Sequence, residues 1–325
     1  MGFGSDVVAS QADHFSSDGL PDGRELPPML NVRVPASSAN LGAGFDLYGV
    51  ALPLYNELRV TPCESLSIHA VGPEASGLPN DASNLTQRAA MRVCQQLDKP
   101  LPTWRLEAVV RIPQARGLGS SSAAIVAGLL AANAWYDMPL TRDELMQLAV
   151  ELEGHPDNVA AALYGGVCWA QSHNGHIQVV PVSDHIPGAL VLAIPDLRLS
   201  TALSRQVLPK LVPHRDAVAT VGAVTALTTV LLTGQRAWWP QALSDHLHEP
   251  YRMPLITGGL AVKGAALAQG AWGVVISGAG PSLVAVCPED VALRVAQAMQ
   301  QAWEDQNVGC HSVVVTELAK GALVC

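Results

Sequence analysis

Residues 113–124 read PQARGLGSSSAA. Two glycines one residue apart precede three serines, and the alanines beyond run into an apolar pattern through Ile125, Val126, Leu129 and Leu130. That pattern predicts a helix from Ser120 to about Trp135 with the smallest residues at its mouth. A helix start leaves about four N–H groups without intrahelical partners and carries roughly half a positive charge. Glycines in front let the backbone approach an anion, because no Cβ stands in the way. Gly117 and Gly119 supply that access; Ser120, Ser121 and Ser122 add hydroxyls suited to phosphate oxygens or a hard cation. The stretch reads as a phosphate cradle. It is not a Walker loop, since no GxxxxGK pattern is present, nor a dinucleotide fingerprint, since GxGxxG is missing here. The bland alternative, a flexible Gly/Ser turn before a core helix, fits less well with so tight a string directly before a long apolar run.

Around this stretch the chain has 325 residues, 49% of them hydrophobic, enough for two cores of ordinary size. Lys and Arg number 19 against 28 Asp and Glu, a formal charge of −9. That sign argues against nucleic acid or an anionic membrane as partner, so a phosphate site must be built locally. Cys63, Cys94, Cys168, Cys287, Cys310 and Cys325 are scattered, with no CxxC and no close Cys/His spacing. Neither a zinc site nor a disulfide framework is signalled, and free thiols fit a cytoplasmic location. No apolar segment follows a basic start at the N-terminus. The most apolar later run, residues 217–232, is 16 residues long. A membrane span needs about 20, so a soluble protein is expected.

Residues 1–28 are rich in Ser, Asp, Gly and Pro and read as a disordered tail or extension. A strand is expected from Leu30 to Val34, ending at Pro35, with further strands at 56–61, 66–70 and 105–112. Helices are expected over 85–97 and 142–153, the latter opened by the capping box Thr141-x-x-Glu144. HPDNVAAALYGG predicts a loop and a short helix ended by glycines. Strands at 167–170, 177–182 and 189–194 follow. Beyond them helices fit 201–208, 216–231, 257–268 and 288–302, with strands at 272–277, 282–287 and 312–318. The late helix–strand–strand–helix–strand order suggests a second α+β layer, placing a boundary between 29–190 and 191–325.

PQARGLGSSSAA resembles the ATP-phosphate loop of the GHMP kinase superfamily. Three other segments match in order: VPASSANLGAGFD (34–46), EGHPDNVAAALYGG (153–166) and SGAGPSLVAV (277–286). The first is similar to the amino-terminal motif of homoserine kinases in particular. The resemblance implies an α+β two-domain GHMP kinase fold, with an N-terminal ribosomal-protein-S5-domain-2-like domain and a C-terminal ferredoxin-like α/β sandwich. It implies ATP-dependent phosphorylation of the side-chain hydroxyl of L-homoserine, with Mg²⁺, in a homodimer. Two other functions stay open: another small-molecule kinase such as a mevalonate kinase, or a GHMP-fold binding protein without catalysis.

The resemblance also assigns residues. Pro113, Gln114, Ala115, Arg116, Gly117, Leu118, Gly119, Ser120, Ser121, Ser122 and Ala123 would hold ATP, with Asn84 at the adenine. Mg²⁺ would sit on Ser121 and Glu151, with Glu153 as competitor; two residues apart on a helix, only one carboxylate should face the site. Asn40 and Asp46 would meet the amino-acid substrate, and Thr201, Arg205 and Arg252 its carboxylate end. His155 and Gly280 complete the substrate set. Asn158 would orient the accepting hydroxyl, with Asp157 as the competing assignment of a catalytic base.

Overall fold

The computed structural model describes residues 29–325; the expectation for residues 1–28 lies outside the described residues. The chain opens with β1 (Leu30–Ala39), β2 (Tyr48–Pro62), β3 (Ser67–Val71), α1 (Leu85–Leu97) and β4 (Trp104–Val109). Three helices follow, α2 (Ser120–Trp135), α3 (Arg142–Glu153) and α4 (Asp157–Tyr164), then the hairpin of β5 (Val167–His173) and β6 (His176–Ser183). The second half runs β7 (Ala189–Pro195), α5 (Thr201–Gln206), α6 (His214–Thr233), α7 (Trp239–Ala242) and α8 (Glu249–Arg252). It closes with α9 (Gly259–Ala268), β8 (Gly273–Ile276), β9 (Leu283–Cys287), α10 (Ala292–Glu304), β10 (Cys310–Val315) and β11 (Leu323–Val324).

Among the described residues these strands form two sheets. The first has the order β11-β1-β2-β4-β3, with β5 on the far end of β2 and β6 beyond it. Its pairings are antiparallel except β3 with β4. The second is antiparallel, β10-β7-β9-β8. The final strand therefore returns to the first sheet, pairing with β1. β7, an inner strand of the second sheet, is buried along its whole length and lies between the two hydrophobic cores. Because strand side chains alternate, Ala189, Val191 and Ala193 face the core under α9 and α10. Leu190, Leu192 and Ile194 join the other core, which includes Leu227 and Val230 of α6.

α2 is apolar on every side, and such a helix belongs inside a protein. It runs between the first sheet and α1, and all of its residues from Ile125 to Asn133 are buried. α1 shows the amphipathic alternative: Asn84 caps it, Ala89, Ala90, Val93 and Cys94 are buried, and Asp98 ends it in the left-handed region. The capping box on α3 is present as expected.

Several element bounds differ from the sequence expectation. β1 does not stop at Pro35; it runs to Ala39 through a register shift between Pro35 and Ala36. A bulge lets a strand pass a residue that has no N–H to give. β2 extends back to Tyr48, because its first half pairs with the second half of β1. α8 and β11 carry no periodic signal at four and two residues. α6 is a 20-residue helix, longer than the apolar run that marks it, and by length and composition could cross a bilayer. Instead Ala223, Ala226, Leu227, Val230 and Leu231 are buried, and its Thr228 hydroxyl bonds the Tyr48 hydroxyl of β2 at 2.8 Å. Only this face packs on the core; Val218, Val221 and Leu232 on the rest of the helix are exposed.

The end of α2 is fixed by Trp135, which meets Trp104 edge-on at 5.3 Å between ring centroids. Trp104 is fully buried and its indole N–H donates to Gln87 Oε1 at 2.9 Å. Trp104→Ala removes the ring and leaves the Gln87 amide without its donor. It should cost about 3–5 kcal/mol, read as a lower urea midpoint of the full chain. A loss under about 1 kcal/mol would show that this contact does not anchor α2.

Candidate active site

Gly119 is the N-cap of α2, with φ +68° and ψ +28°. A Cβ there would lie 2.0 Å from Ser37 Oγ, and one on Gly117 (φ +74°) would lie 2.1 Å from the Ser277 carbonyl oxygen. Both positions therefore demand glycine, by conformation and by space. The carbonyls of the loop are taken up by neighbouring elements. Ser37 N–H donates to Leu118 O at 3.1 Å and Leu199 N–H to Ala115 O at 3.0 Å. Ser277 Oγ–H donates to Gly117 O at 2.6 Å. With those oxygens turned into the protein, the unpaired N–H groups at the front of α2 are left for a ligand.

Two cavities meet there, and both are lined by Ala115, Ser120 and Ser121. One, of about 300 Å³, is walled by apolar side chains such as Ile68, Leu85, Leu106, Val110 and Ala127. The other, of about 230 Å³, is charged, with Asp46, His155, Asp157, Arg205 and Arg252 on its walls. The front of α2 thus stands between an apolar chamber and an ionic one. Asn84 lines the apolar chamber; its side chain accepts from Thr86 N–H and donates to Pro79 O, capping α1 with one lone pair and one amide hydrogen. Gln114 and Ala123 line the same chamber.

In the ionic chamber Arg205 holds Asp46 through both carboxylate oxygens, at 2.7 and 3.1 Å. Arg252 is 2% exposed, with Nε donating to Ser204 O and Nη1 to Gly278 O, both at 3.1 Å. Asn40 receives the Asp46 N–H and donates to Gly278 O, so it spaces the loop against the second domain. Thr201 opens α5 at the chamber wall beside Ser200. Asp157 and Asn158 open α4. Asn158 Oδ1 accepts from Ser37 Oγ at 2.8 Å, which leaves its amino group free to point elsewhere. Burial, with help from Asp46, pushes the Asp157 carboxyl up to about 7. His155 is pulled below its ordinary value by burial, then by Arg205.

The carboxylate at the loop is Glu153, not Glu151. Glu153 Oε1 accepts from Ser121 Oγ at 2.7 Å and Ser122 Oγ at 2.8 Å. Glu151 points to the other side of α3, half-exposed in an ion pair with Arg92 at 2.9 Å. The helical phase forces this choice: two positions apart, the side chains diverge by about 200°. Arg116 lies in the loop but its guanidinium turns to Glu74 at 3.0 Å and Asp196 at 3.3 Å, tying the loop to both domains. Ser122 is fully buried beneath the loop. Gly280 packs behind the chamber against Ile256, Ile276 and Leu199, while Gly278 and Ala279 line it. Ser37 and Ser277 escaped the sequence reading. Both sit inside quoted motif segments, so their position was visible but their role was not.

Asp157 makes a stability signature. Its folded pKa of about 7 lies above the unfolded value of about 3.9, so its ionised form disfavours the fold. The associated stability is fully present below about pH 4 and lost as pH rises to about 7. Asp157→Asn should raise the unfolding free energy from urea titration at pH 8, by as much as about 3–4 kcal/mol, and the gain should shrink toward pH 5. An equal effect at both pH values would mean the carboxyl does not titrate this way.

Residues 84–166 match the GHMP kinases N terminal domain and residues 230–305 the GHMP kinases C terminal domain. The chain is 44% identical to a homoserine kinase of Prochlorococcus marinus over 295 residues, covering 89% of this chain and 93% of that protein. It is 46% identical to a homoserine kinase of Gloeobacter violaceus, covering 86% and 94%. The crystal structure of homoserine kinase from Cytophaga hutchinsonii superposes with a TM-score of 0.83 at 30% identity, covering 93% and 99%. A phosphomevalonate kinase from Streptococcus pneumoniae, at 14% identity and a TM-score of 0.67, shares the fold. With whole-chain similarity to homoserine kinases and both GHMP domains in sequence, this chain belongs to the homoserine kinase family of GHMP kinases.

Proposed function

We propose that the protein transfers the γ-phosphoryl group of ATP to the side-chain hydroxyl of L-homoserine, giving ADP and O-phospho-L-homoserine, a step toward threonine. The observation that carries this reading is the pair of chambers meeting at the front of α2, one apolar and one lined by Asp46, Arg205 and Arg252. The apolar chamber suits a nucleobase. The ionic one suits a zwitterion: an ammonium against Asp46 and a carboxylate against the two arginines. Mevalonate has no ammonium to offer Asp46, which sets an amino-acid alcohol apart from that rival.

Phosphoryl transfer needs alignment and charge neutralisation more than covalent help. The N–H groups at the start of α2 cradle the phosphates, and the L-homoserine zwitterion opens the Asp46–Arg205 pair by taking one side each. Asn158, held through its oxygen by Ser37, turns its amino group to the accepting hydroxyl and aims it at the γ-phosphorus. The hydroxyl proton leaves to a phosphate oxygen or water. Asp157 as base is the second reading, favoured by a carboxyl near 7 in the chamber wall. Glu153, Ser121 and the nucleotide would hold magnesium, which typically takes one or two carboxylates and keeps phosphate and water oxygens. Bound there, the ion would supply charge neutralisation for the transferred phosphoryl group. Residues 29–190 form the ATP-binding domain and 191–325 the C-terminal domain in this reading, apart from the returning β11. Magnesium, a homodimer and a cytoplasmic location rest on the resemblance.

Purified protein given Mg-ATP and L-homoserine should form O-phospho-L-homoserine, seen by ³¹P NMR; phosphorylation of mevalonate but not L-homoserine would overturn the reading. Glu153→Gln should lower kcat about 100-fold, while Glu151→Gln stays within about twofold. Asn158→Ala should lower kcat on the order of 100-fold with little change in KM for ATP. If Asn158→Ala keeps near-normal kcat while Asp157→Asn abolishes the acid limb of the pH–rate profile, Asp157 is the base and the orienting role fails.

A further inference from the structure

Beside Arg252 lies a histidine that no motif marks. His248 is fully buried one turn before Arg252, its ring stacked on Phe45 at 4.8 Å between centroids. Its Nε2 lies 3.3 Å from Gly42 O, in the loop between β1 and β2. Its Nδ1 lies 3.5 Å from Arg252 Nη1. A carbonyl only accepts, so Nε2 carries the hydrogen; a guanidinium only donates, so Nδ1 must offer a lone pair. The two neighbours together select the neutral Nε2–H tautomer. An imidazolium would set an N–H against the N–H of Arg252.

The segment that carries this pair is itself fixed. Asp245 Oδ2 accepts from His248 N–H at 2.8 Å and Glu249 N–H at 2.6 Å, capping the short α8. Phe45 touches both charged partners of the chamber, with the Arg252 and Arg205 guanidinium carbons 5.1 and 5.8 Å from its ring centroid. With Nε and Nη1 of Arg252 committed to Ser204 O and Gly278 O, Nη2 is the part of the fork left for a substrate.

We infer that His248 is a positioning residue for substrate recognition: as a neutral imidazole braced between Gly42 O and Arg252, it sets the rotation of that guanidinium toward the substrate carboxylate. The inference rests on the reading that Arg252 receives the carboxylate of L-homoserine. Several charged groups face the imidazole. Asp245 lies 3.6 Å from Nε2 and Asp46 stands across the chamber, both favouring protonation; Arg252 opposes it. Burial, the largest influence, holds His248 below its ordinary pKa and keeps it neutral at physiological pH.

The test uses the full chain, two alcohols and three variants. 3-Amino-1-propanol is L-homoserine without its carboxylate, so it reports on everything except the carboxylate contacts of Arg205 and Arg252. His248→Leu keeps the volume and removes the acceptor; it should raise KM for L-homoserine about tenfold, with kcat and KM for ATP within about twofold. Turnover of 3-amino-1-propanol should not change. His248→Gln, which offers both an amide oxygen and an N–H, should recover most of the L-homoserine affinity. Thermal midpoints and Mg-ATP titration show that the variants are folded. Equal losses on the two alcohols, or no rescue by glutamine, would overturn the positioning role. Arg252→Met, measured alongside, separates the two levels: a large KM change there with none in His248→Leu sinks this inference alone. An unchanged KM in Arg252→Met sinks the carboxylate reading together with it.

Discussion

The rest of the site depends on how the backbone of residues 115–119 is held. A loop that turns its N–H groups to one side cannot also leave its carbonyl oxygens there, because these would repel any anion those N–H groups could meet. Here the oxygens are drawn away by three donors from three elements: Ser37 N–H on β1, Leu199 N–H after β7, and Ser277 Oγ after β8. Two of the three come from the second half of the chain. The cradle is therefore complete only when both domains are in place, and the front of α2 is a product of the whole fold.

The two chambers follow from the same arrangement. α1 and the β2–β4–β3 part of the first sheet supply apolar walls, because residues on one face of each strand point inward at every second position. The ionic walls come from element ends: the loop after β1, the start of α4, both ends of α5 and the last residue of α8. Ends leave backbone groups and polar side chains available, whereas the middles of strands and helices are consumed by packing. Arg252 illustrates the point. It is as buried as a core leucine, yet its carbonyl partners and the capped turn beneath it keep the charge satisfied.

Glu153 and Glu151 mark where residue type ceased to be informative. Both are glutamates on the last turn of α3, and a motif cannot separate them when the spacing to the next landmark varies. Helical phase relative to α2 separates them at once, because one side is covered by the serine turn and the other meets Arg92. Ser37 is a similar case: its hydroxyl holds Asn158 across 121 residues of sequence. Asn84 serves its helix as well as lining the apolar chamber, since its side chain caps α1.

By itself the sequence determined the family, the two-domain α+β organisation, the helix that begins at Ser120 and the glycines before it. These are local properties: periodicity, caps and small residues act within a few positions of the chain, where they can be read directly. The tertiary structure decided what those residues face. It turned β1 past Pro35 with a bulge, brought β11 back to the first sheet, and chose Glu153 over Glu151. It also set His248 behind Arg252 and against Gly42, more than 200 residues away in the chain. Such contacts depend on how elements pack in three dimensions, and no short window of sequence carries that information.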